Sequence, residues 1–325
     1  MSGLKVVKDE NNIGYLREKY PDGLTFIVGD THGEYSTLKK LIEKIKFDPL
    51  KDRVYFTGDY NSGGNVEKLL TYISNYYIEN NDFPGFHLIR GNHERELSPV
   101  YPLENMPDLF VIRKKQMNYY IAHAGMLGSV LSLISDDISK NTDKNVFAYK
   151  LRDDTVSFDA PLRQIIWSRR GLYTQKSRRH NWPTEEMLEQ NHACIIHGHT
   201  PYCFFMGDSW FSYGDESLFF KNQHVFFSED LQSFDIDSNV KGLYENGETY
   251  RGLTCVCIEA LEEIAAANGR RLTVDGIYDS PSCVFSAKYI PNSPMFVRGD
   301  INRVLKATPD MKVISYVENI GPVFE

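Results

Sequence analysis

The chain has 325 residues, with 36 basic against 44 acidic side chains and a formal net charge of −8. At 42% hydrophobic and 25% charged, with 20 Tyr and 19 Phe, it has the composition of an ordinary globular protein, and its apolar supply excludes intrinsic disorder. Its apolar runs are strand-sized, far short of the ~20 residues of a membrane span. The N-terminal stretch MSGLKVVKDENN lacks the apolar core of a secretion signal. Affinity for a phosphate backbone rests on Lys and Arg, so the acidic balance argues against a long nucleic-acid substrate. Small phosphates, captured by local sites and metals, stay open. The five cysteines, Cys194, Cys203, Cys255, Cys257 and Cys283, are odd in number, form no C-x-x-C pair and sit mostly among apolar neighbours. They read as small buried hydrophobes in a reducing, cytoplasmic compartment rather than as a disulfide or zinc framework.

In chain order, a short apolar run at residues 24–28 leads into Gly29-Asp30. Leu38, Leu41, Ile42 and Ile45 then form a helical stripe, with Lys and Glu on the other face. A second run at 54–57 leads into Gly58-Asp59, and Val66, Leu69, Leu70, Ile73 and Tyr77 repeat the helical stripe behind Asn65, a candidate N-cap. Runs at 86–89, 119–122 and 194–196 lead into Arg90-Gly91-Asn92-His93, His123 and His197-Gly198-His199. Apolar runs with so little alternation predict strands buried on both faces, and their rhythm with the helices predicts an α/β fold. Residues 109–112 and 117–122, joined by Arg113-Lys114-Lys115-Gln116, predict a β-hairpin. Residues 203–234 are rich in Phe, Tyr, Trp, Asp and Ser and read as an aromatic insertion or cap. A helix over 260–268, followed by β-type runs, is expected in 261–325, a C-terminal extension or small subdomain behind a catalytic domain spanning 1–260.

Functional groups in open α/β sheets gather at the carboxyl ends of strands. Five such ends here deliver Asp30 and His32, Asp59, Asn92 and His93, His123, and His199. Carboxylates, imidazoles and a carboxamide converging on one edge form a ligand set for one or two divalent metals such as Mn2+, Zn2+ or Fe. A lone Gly-Asp is usually a turn and a lone His a hydrogen-bonded residue, but five in series at strand ends point to a site.

The series Gly29-Asp30-Thr31-His32-Gly33, Gly58-Asp59, Gly91-Asn92-His93-Glu94, His123-Ala124-Gly125 and Gly198-His199-Thr200-Pro201 resembles the motifs of the calcineurin-like metallophosphoesterases, and within them the phosphoprotein phosphatase branch. Leu88-Ile89-Arg90, Ile166-Trp167-Ser168-Arg169 and Phe234-Asp235-Ile236-Asp237 add to the likeness, which runs in order through residues 24–259. The resemblance implies two mixed sheets packed as a sandwich between helices, with a dinuclear metal centre at one edge. One metal would take Asp30, His32 and Asp59; Asp59 would bridge to the second, which adds Asn92, His123 and His199. Water activated between the metals would attack phosphorus in line, with His93 as the proton donor to the leaving oxygen. Mn2+ is the first expectation for both metals, with Fe or Zn2+ as alternatives.

The family's second motif, GDxVDRG, is broken: Gly58-Asp59-Tyr60-Asn61-Ser62-Gly63-Gly64 keeps the bridging Asp59 but has Ser62 and Gly63 where the resemblance expects an orienting Asp and a phosphate-clamping Arg. Glu94 or another carboxylate is a candidate substitute for that Asp. Arg169, Arg170, Lys176, Arg178 and Arg179, between Trp167 and Trp182, are candidate replacements for the clamp. Arg169 and Arg170, together with Asn92, form the expected phosphate-binding set, with Arg90 and Arg95 secondary. His199, in the Gly-His step, is favoured over His197 as a ligand, and Asp237 is expected to serve the backbone rather than the chemistry. The leading expectation is a phosphomonoesterase acting on phosphoserine or phosphothreonine in proteins, or on a small phosphoester. A phosphodiesterase or dinucleotide pyrophosphohydrolase is the alternative, since a diester carries one charge less and needs the clamp less. A catalytically weak phosphate-binding scaffold is the third reading. The oligomeric state is left open.

Overall fold

The computed structural model describes residues 12–61, 63–78, 80–96, 106–152, 182–200, 218–221, 225–238, 240, 251–291 and 311–315. A first sheet is built around three parallel strands, β1 (Thr25–Val28), β2 (Arg53–Phe56) and β3 (Gly85–Leu88). Helix α1 (Asn12–Lys19) precedes β1, α2 (Tyr35–Lys44) connects β1 to β2, and α3 (Val66–Ser74) connects β2 to β3. Leu38, Leu41 and Ile42 of α2 and Leu69, Leu70 and Ile73 of α3 are buried, so the apolar stripes face the sheet. Asn65 caps α3, its side chain accepting from Lys68 N at 2.9 Å.

After the one-turn helix α4 (Asn92–Glu96), β4 (Leu109–Arg113) and β5 (Asn118–Ala122) form the expected antiparallel hairpin. Then come α5 (Gly128–Lys140), β6 (Val146–Arg152), α6 (Glu185–Gln190), β7 (Ala193–His197), β8 (Leu218–Lys221), β9 (Val225–Ser228) and β10 (Ser233–Asp235). The chain continues with β11 (Gly252–Cys257), α7 (Ile258–Ala267), α8 (Val274–Asp279), β12 (Val284–Lys288) and β13 (Met311–Ser315). Among the described residues the sheet orders are β12-β11-β1-β2-β3 and β13-β6-β4-β5-β7-β10-β9-β8. Both mix parallel and antiparallel pairs.

The period-2 geometry of the second sheet separates two cores. Phe110, Tyr119, Ile121, Cys194 and Ile196 point into the interior shared with Phe26, Val54 and Phe56 of the first sheet. Their alternates Leu109, Val111, Tyr120, Ala122 and Ile195 face Val130, Leu131 and Ile134 of α5. Two mixed sheets face to face with helices outside is the layered α/β architecture expected from the sequence. Cys194, Cys255, Cys257 and Cys283 are free and buried; Cys203 lies outside the described residues.

Two local expectations need adjusting. The sequence predicts β-type runs after α7, yet 274–279 is helical because Thr273 caps it, accepting from Gly276 N at 3.1 Å, and Ile277 is buried. The aromatic stretch 203–234 contains β8, β9 and part of β10, which extend the second sheet, while residues 201–217 and 222–224 lie outside the described set. From beyond residue 261, β12 joins the first sheet and β13 the second.

Candidate metal centre

The carboxyl ends of β1 and β2 meet those of β5, β7 and β10 across the sandwich, and the chemistry gathers there. Three overlapping sets of ligand atoms, each within 4.8 Å of one another, occupy this edge: Asp30, His32 and Asp237; His32, Asp59 and His93; and Asp59, His123 and His199. His32 and Asp59 belong to two sets each, so the sets join into one site. All of these residues are buried except His93, which is partly exposed.

The backbone is bent to place them. Among the described residues, His32, Asp59 and His199 are three of the seven non-glycine residues at positive φ, at 44°, 56° and 68°. An L-residue in that region costs roughly 1–2 kcal/mol, so the surroundings must enforce it. His32 N donates to Asp59 O at 2.7 Å, tying the first two turns together. His199 N donates to Asp30 Oδ2 at 2.8 Å, and the preceding Gly198 leaves room for that contact: a Cβ there would lie 2.0 Å from Asp30 Oδ1.

Glu94 performs the same service for Asp59. Its buried carboxylate accepts from Asp59 N (2.8 Å), Tyr60 N (2.7 Å), Asn61 N (3.2 Å) and Gly91 N (2.8 Å). Burial pushes its pKa up, and the four N–H groups oppose that rise. The side chain is therefore committed to the β2 and β3 turns and is not the carboxylate that orients His93. His93 is held instead through its backbone: its N donates to Asp59 Oδ1 at 3.1 Å and its carbonyl accepts from Asn61 Nδ2 at 2.9 Å. Its ring stands edge-on to His32 with Nε2 3.8 Å from Asp59 Oδ2.

The tautomer of His123 follows from its partner. Thr57 O, 2.8 Å from Nδ1, can only accept, so Nδ1 carries the proton and Nε2 presents a lone pair. That lone pair lies 2.8 Å from Asn92 Oδ1, 3.2 Å from His199 Nδ1 and 3.4 Å from Asp59 Oδ1. Asn92 Oδ1 is in turn 2.9 Å from His199 Nδ1. With His199 Nδ1 as a lone-pair donor, these four atoms face one another at spacings that a cation accommodates. Ligand bonds of about 2.0–2.2 Å at right angles put neighbouring donors about 3 Å apart. The residues present fit a divalent metal.

Asp30 accepts from Thr57 Oγ1 at 2.7 Å. Burial, then the charges of Asp237 and Asp59, push its carboxyl well above the ordinary range. Asp237, which the sequence assigns to the backbone, lies with Asp30 and His32 in one of the three sets. The available signal was the one that exposed the others, an acidic side chain just past a β-type run.

Among the remaining expectations, His197 belongs to none of the three sets; it is buried beside Trp182, with Nδ1 3.1 Å from Gly198 O. Arg90 is not turned to the site: its guanidinium is buried against Asp108, with Nε and Nη2 2.8 and 2.5 Å from Oδ1. Arg169, Arg170, Lys176, Arg178, Arg179 and Ser62 lie outside the described residues, as does the Arg95 side chain. Gly63 is described and explains itself. At φ 98°, a Cβ there would sit 2.7 Å from His32 O, so this turn leaves no place for the arginine the motif would carry.

The family model for calcineurin-like phosphoesterases matches residues 24–203, more than half of the chain. Among curated relatives, a symmetrical bis(5'-nucleosyl)-tetraphosphatase of Actinobacillus succinogenes is 40% identical over 127 residues, 31% of this chain and 44% of the relative. One of the same name from Serratia proteamaculans is 32% identical over 78 residues, 24% of this chain and 25% of the relative. The chain thus matches less than half the length of these relatives. Among solved structures, a protein serine/threonine phosphatase from Saccharomyces cerevisiae is 16% identical with a TM-score of 0.42, over 88% of this chain and 90% of that one. Among the described residues, no helix is long and apolar enough to cross a membrane.

Proposed function

Because the chain belongs to the calcineurin-like phosphoesterase family, we propose that it is a dinuclear-metal-dependent hydrolase of phosphodiester or phosphoanhydride bonds, dinucleoside polyphosphates being the model substrate. Asp30, His32 and Asp59 would hold one metal, and Asp59, Asn92, His123 and His199 the other. Metals held there would supply activation of water and neutralisation of charge on the phosphoryl oxygens. Mn2+ suits this mixed oxygen and nitrogen set.

The residues of the chain do the rest. Thr57 O fixes the proton of His123 on Nδ1, which keeps Nε2 available to the metal. Glu94 holds Asp59 in its strained turn. His93, partly exposed beside the buried carboxylates, is the residue that would donate a proton to the leaving oxygen. Without an orienting carboxylate from Glu94, that acid works best on leaving groups that need little help.

The observation that carries the choice of substrate is Gly63. A phosphomonoester dianion is best gripped by a bidentate guanidinium, and the Gly63 turn has no room for one. Each phosphorus inside a dinucleoside polyphosphate bears a single ionised oxygen, so the clamp matters less. The names of the curated relatives support the same reading over phosphoserine or phosphothreonine. Turnover of a bis-aryl phosphate and a dinucleoside tetraphosphate is compared with that of a mono-aryl phosphate and a phosphoserine peptide, all with Mn2+. The proposal expects kcat/KM at least tenfold higher for the first two. A phosphopeptide turned over faster than both returns the substrate to a phosphoprotein.

A further inference from the structure

Asp237 lies just past β10, and a carboxylate oxygen of it falls within 4.8 Å of ligand atoms of both Asp30 and His32. All three residues are buried. The backbone fixes it there. Ile236 N donates to His197 O at 2.8 Å, and Asp237 N donates to Asp235 Oδ1 at 3.1 Å. Across the sandwich, the end of β1 presses on the same segment: a Cβ at Gly29 would lie 2.2 Å from Ile236 O. Gly29 N itself donates to Thr254 O at 3.0 Å, so β1 has no slack to withdraw. Two strand ends from different sheets are locked edge to edge, one carrying Asp30 and the other Asp237.

Two buried carboxylates at this range repel unless a proton or a cation lies between them. The imidazole of His32 joins them, and carboxylate, carboxylate and imidazole are donors that divalent metals of this size accept.

We propose that Asp237 is a ligand of the first metal, together with Asp30, His32 and Asp59, so that the pair of cations faces three carboxylates instead of two. The proposal rests on reading the site as a dinuclear metal centre. It also sharpens the choice of substrate. A third carboxylate removes one unit of positive charge from the field that the phosphate meets, which favours a singly charged phosphate over a dianion.

Mn2+ binding to the full chain, by calorimetry and by electron paramagnetic resonance of the free ion, tests this in the wild type, Asp30→Asn, Asp237→Asn and Asp237→Ala. The wild type is expected to bind two Mn2+, and each variant to weaken one site by more than the roughly 10- to 100-fold that loss of a residue merely supporting a ligand costs. Metal-free Asp237→Asn and Asp237→Ala should melt at or above the wild type, because the repulsion with Asp30 is gone, and should gain less from added Mn2+. Unchanged Mn2+ affinity in both Asp237 variants while Asp30→Asn is weakened overturns the proposal and leaves the metal centre standing. Metal-free melting below the wild type in both Asp237 variants, with Mn2+ affinity intact, assigns Asp237 a structural role and overturns it as well. A wild type that binds no Mn2+ overturns the metal centre itself.

Discussion

Glu94→Gln separates a residue that holds a ligand from one that is a ligand. In the native turn, Glu94 Oε2 accepts from Asp59 N and Gly91 N, and Oε1 from Tyr60 N and Asn61 N. Glutamine keeps the shape but turns one of these oxygens into an NH2 group that faces two N–H donors. Two hydrogen bonds are lost and two buried donors are left unsatisfied, at about 1–3 kcal/mol each, hence roughly 2–6 kcal/mol in total. Relief of carboxylate burial, visible in the raised pKa of Glu94, returns part of that. The net loss is a large fraction of the roughly 5–15 kcal/mol that holds a domain together. The turn it releases is the one that keeps Asp59 at φ 56°. Urea unfolding of the metal-free protein should therefore show a lower midpoint, and Mn2+ affinity should fall together with it. A variant within about 0.5 kcal/mol of the wild type and with unchanged Mn2+ affinity would refute the idea that Glu94 organises Asp59.

Three further outcomes follow from the same geometry. His93→Ala should lower kcat by about 10²–10⁴-fold on substrates with alkyl leaving groups, and much less on a nitrophenyl phosphate whose leaving group departs without a proton; equal losses on both would remove His93 from the acid role. Gly63→Arg should not restore a phosphate clamp but should lower Tm, since φ 98° and the 2.7 Å approach to His32 O exclude a Cβ; a stable variant with enhanced monoesterase activity would contradict this. His87 is fully buried, stacked 4.6 Å from Tyr55, and burial depresses its pKa to about 3. Because the folded value lies below the unfolded one, its neutral form contributes stability above pH 6.5 that is lost as pH falls toward 3. His87→Phe should therefore reduce the stability lost between pH 7 and pH 4 by about 3 kcal/mol, measured by urea titration at the two pH values, and an acid limb as steep as the wild type's would count against it.

The parts legible in the sequence are those where local signals and tertiary packing agree. Asn65 before an apolar stripe caps α3 as expected, and the cationic turn between two β-type runs makes the β4–β5 hairpin. The positions of the candidate site residues are legible because each follows a run that forms a strand. Helix α5 was not. Its sequence GSVLSLISDDISK is rich in Ser and β-branched residues of poor intrinsic propensity, and it is stabilised by burying Val130, Leu131, Ile134 and Ile138 against the second sheet. The place of Asp237 beside Asp30 and His32 is not legible locally, because its strand, β10, is only three residues long and those two residues follow a strand of a different sheet. No local pattern reports a contact made by two strand ends meeting across a sandwich. The packing of Gly63 on His32 O belongs to the same class: the missing arginine was visible in the sequence, while the absence of room for it was not.

The central claim is that Asp59 joins two metals into one hydrolytic centre. Its most direct test is steady-state hydrolysis of a bis-aryl phosphate by the wild type and Asp59→Asn, each stripped of metal and titrated with Mn2+. The account predicts no turnover in the stripped wild type and recovery that saturates near two Mn2+ per chain. In Asp59→Asn, turnover should stay lower by at least about 10²-fold at every Mn2+ concentration. Turnover in the stripped protein, or an Asp59→Asn variant that matches the wild type, would contradict it.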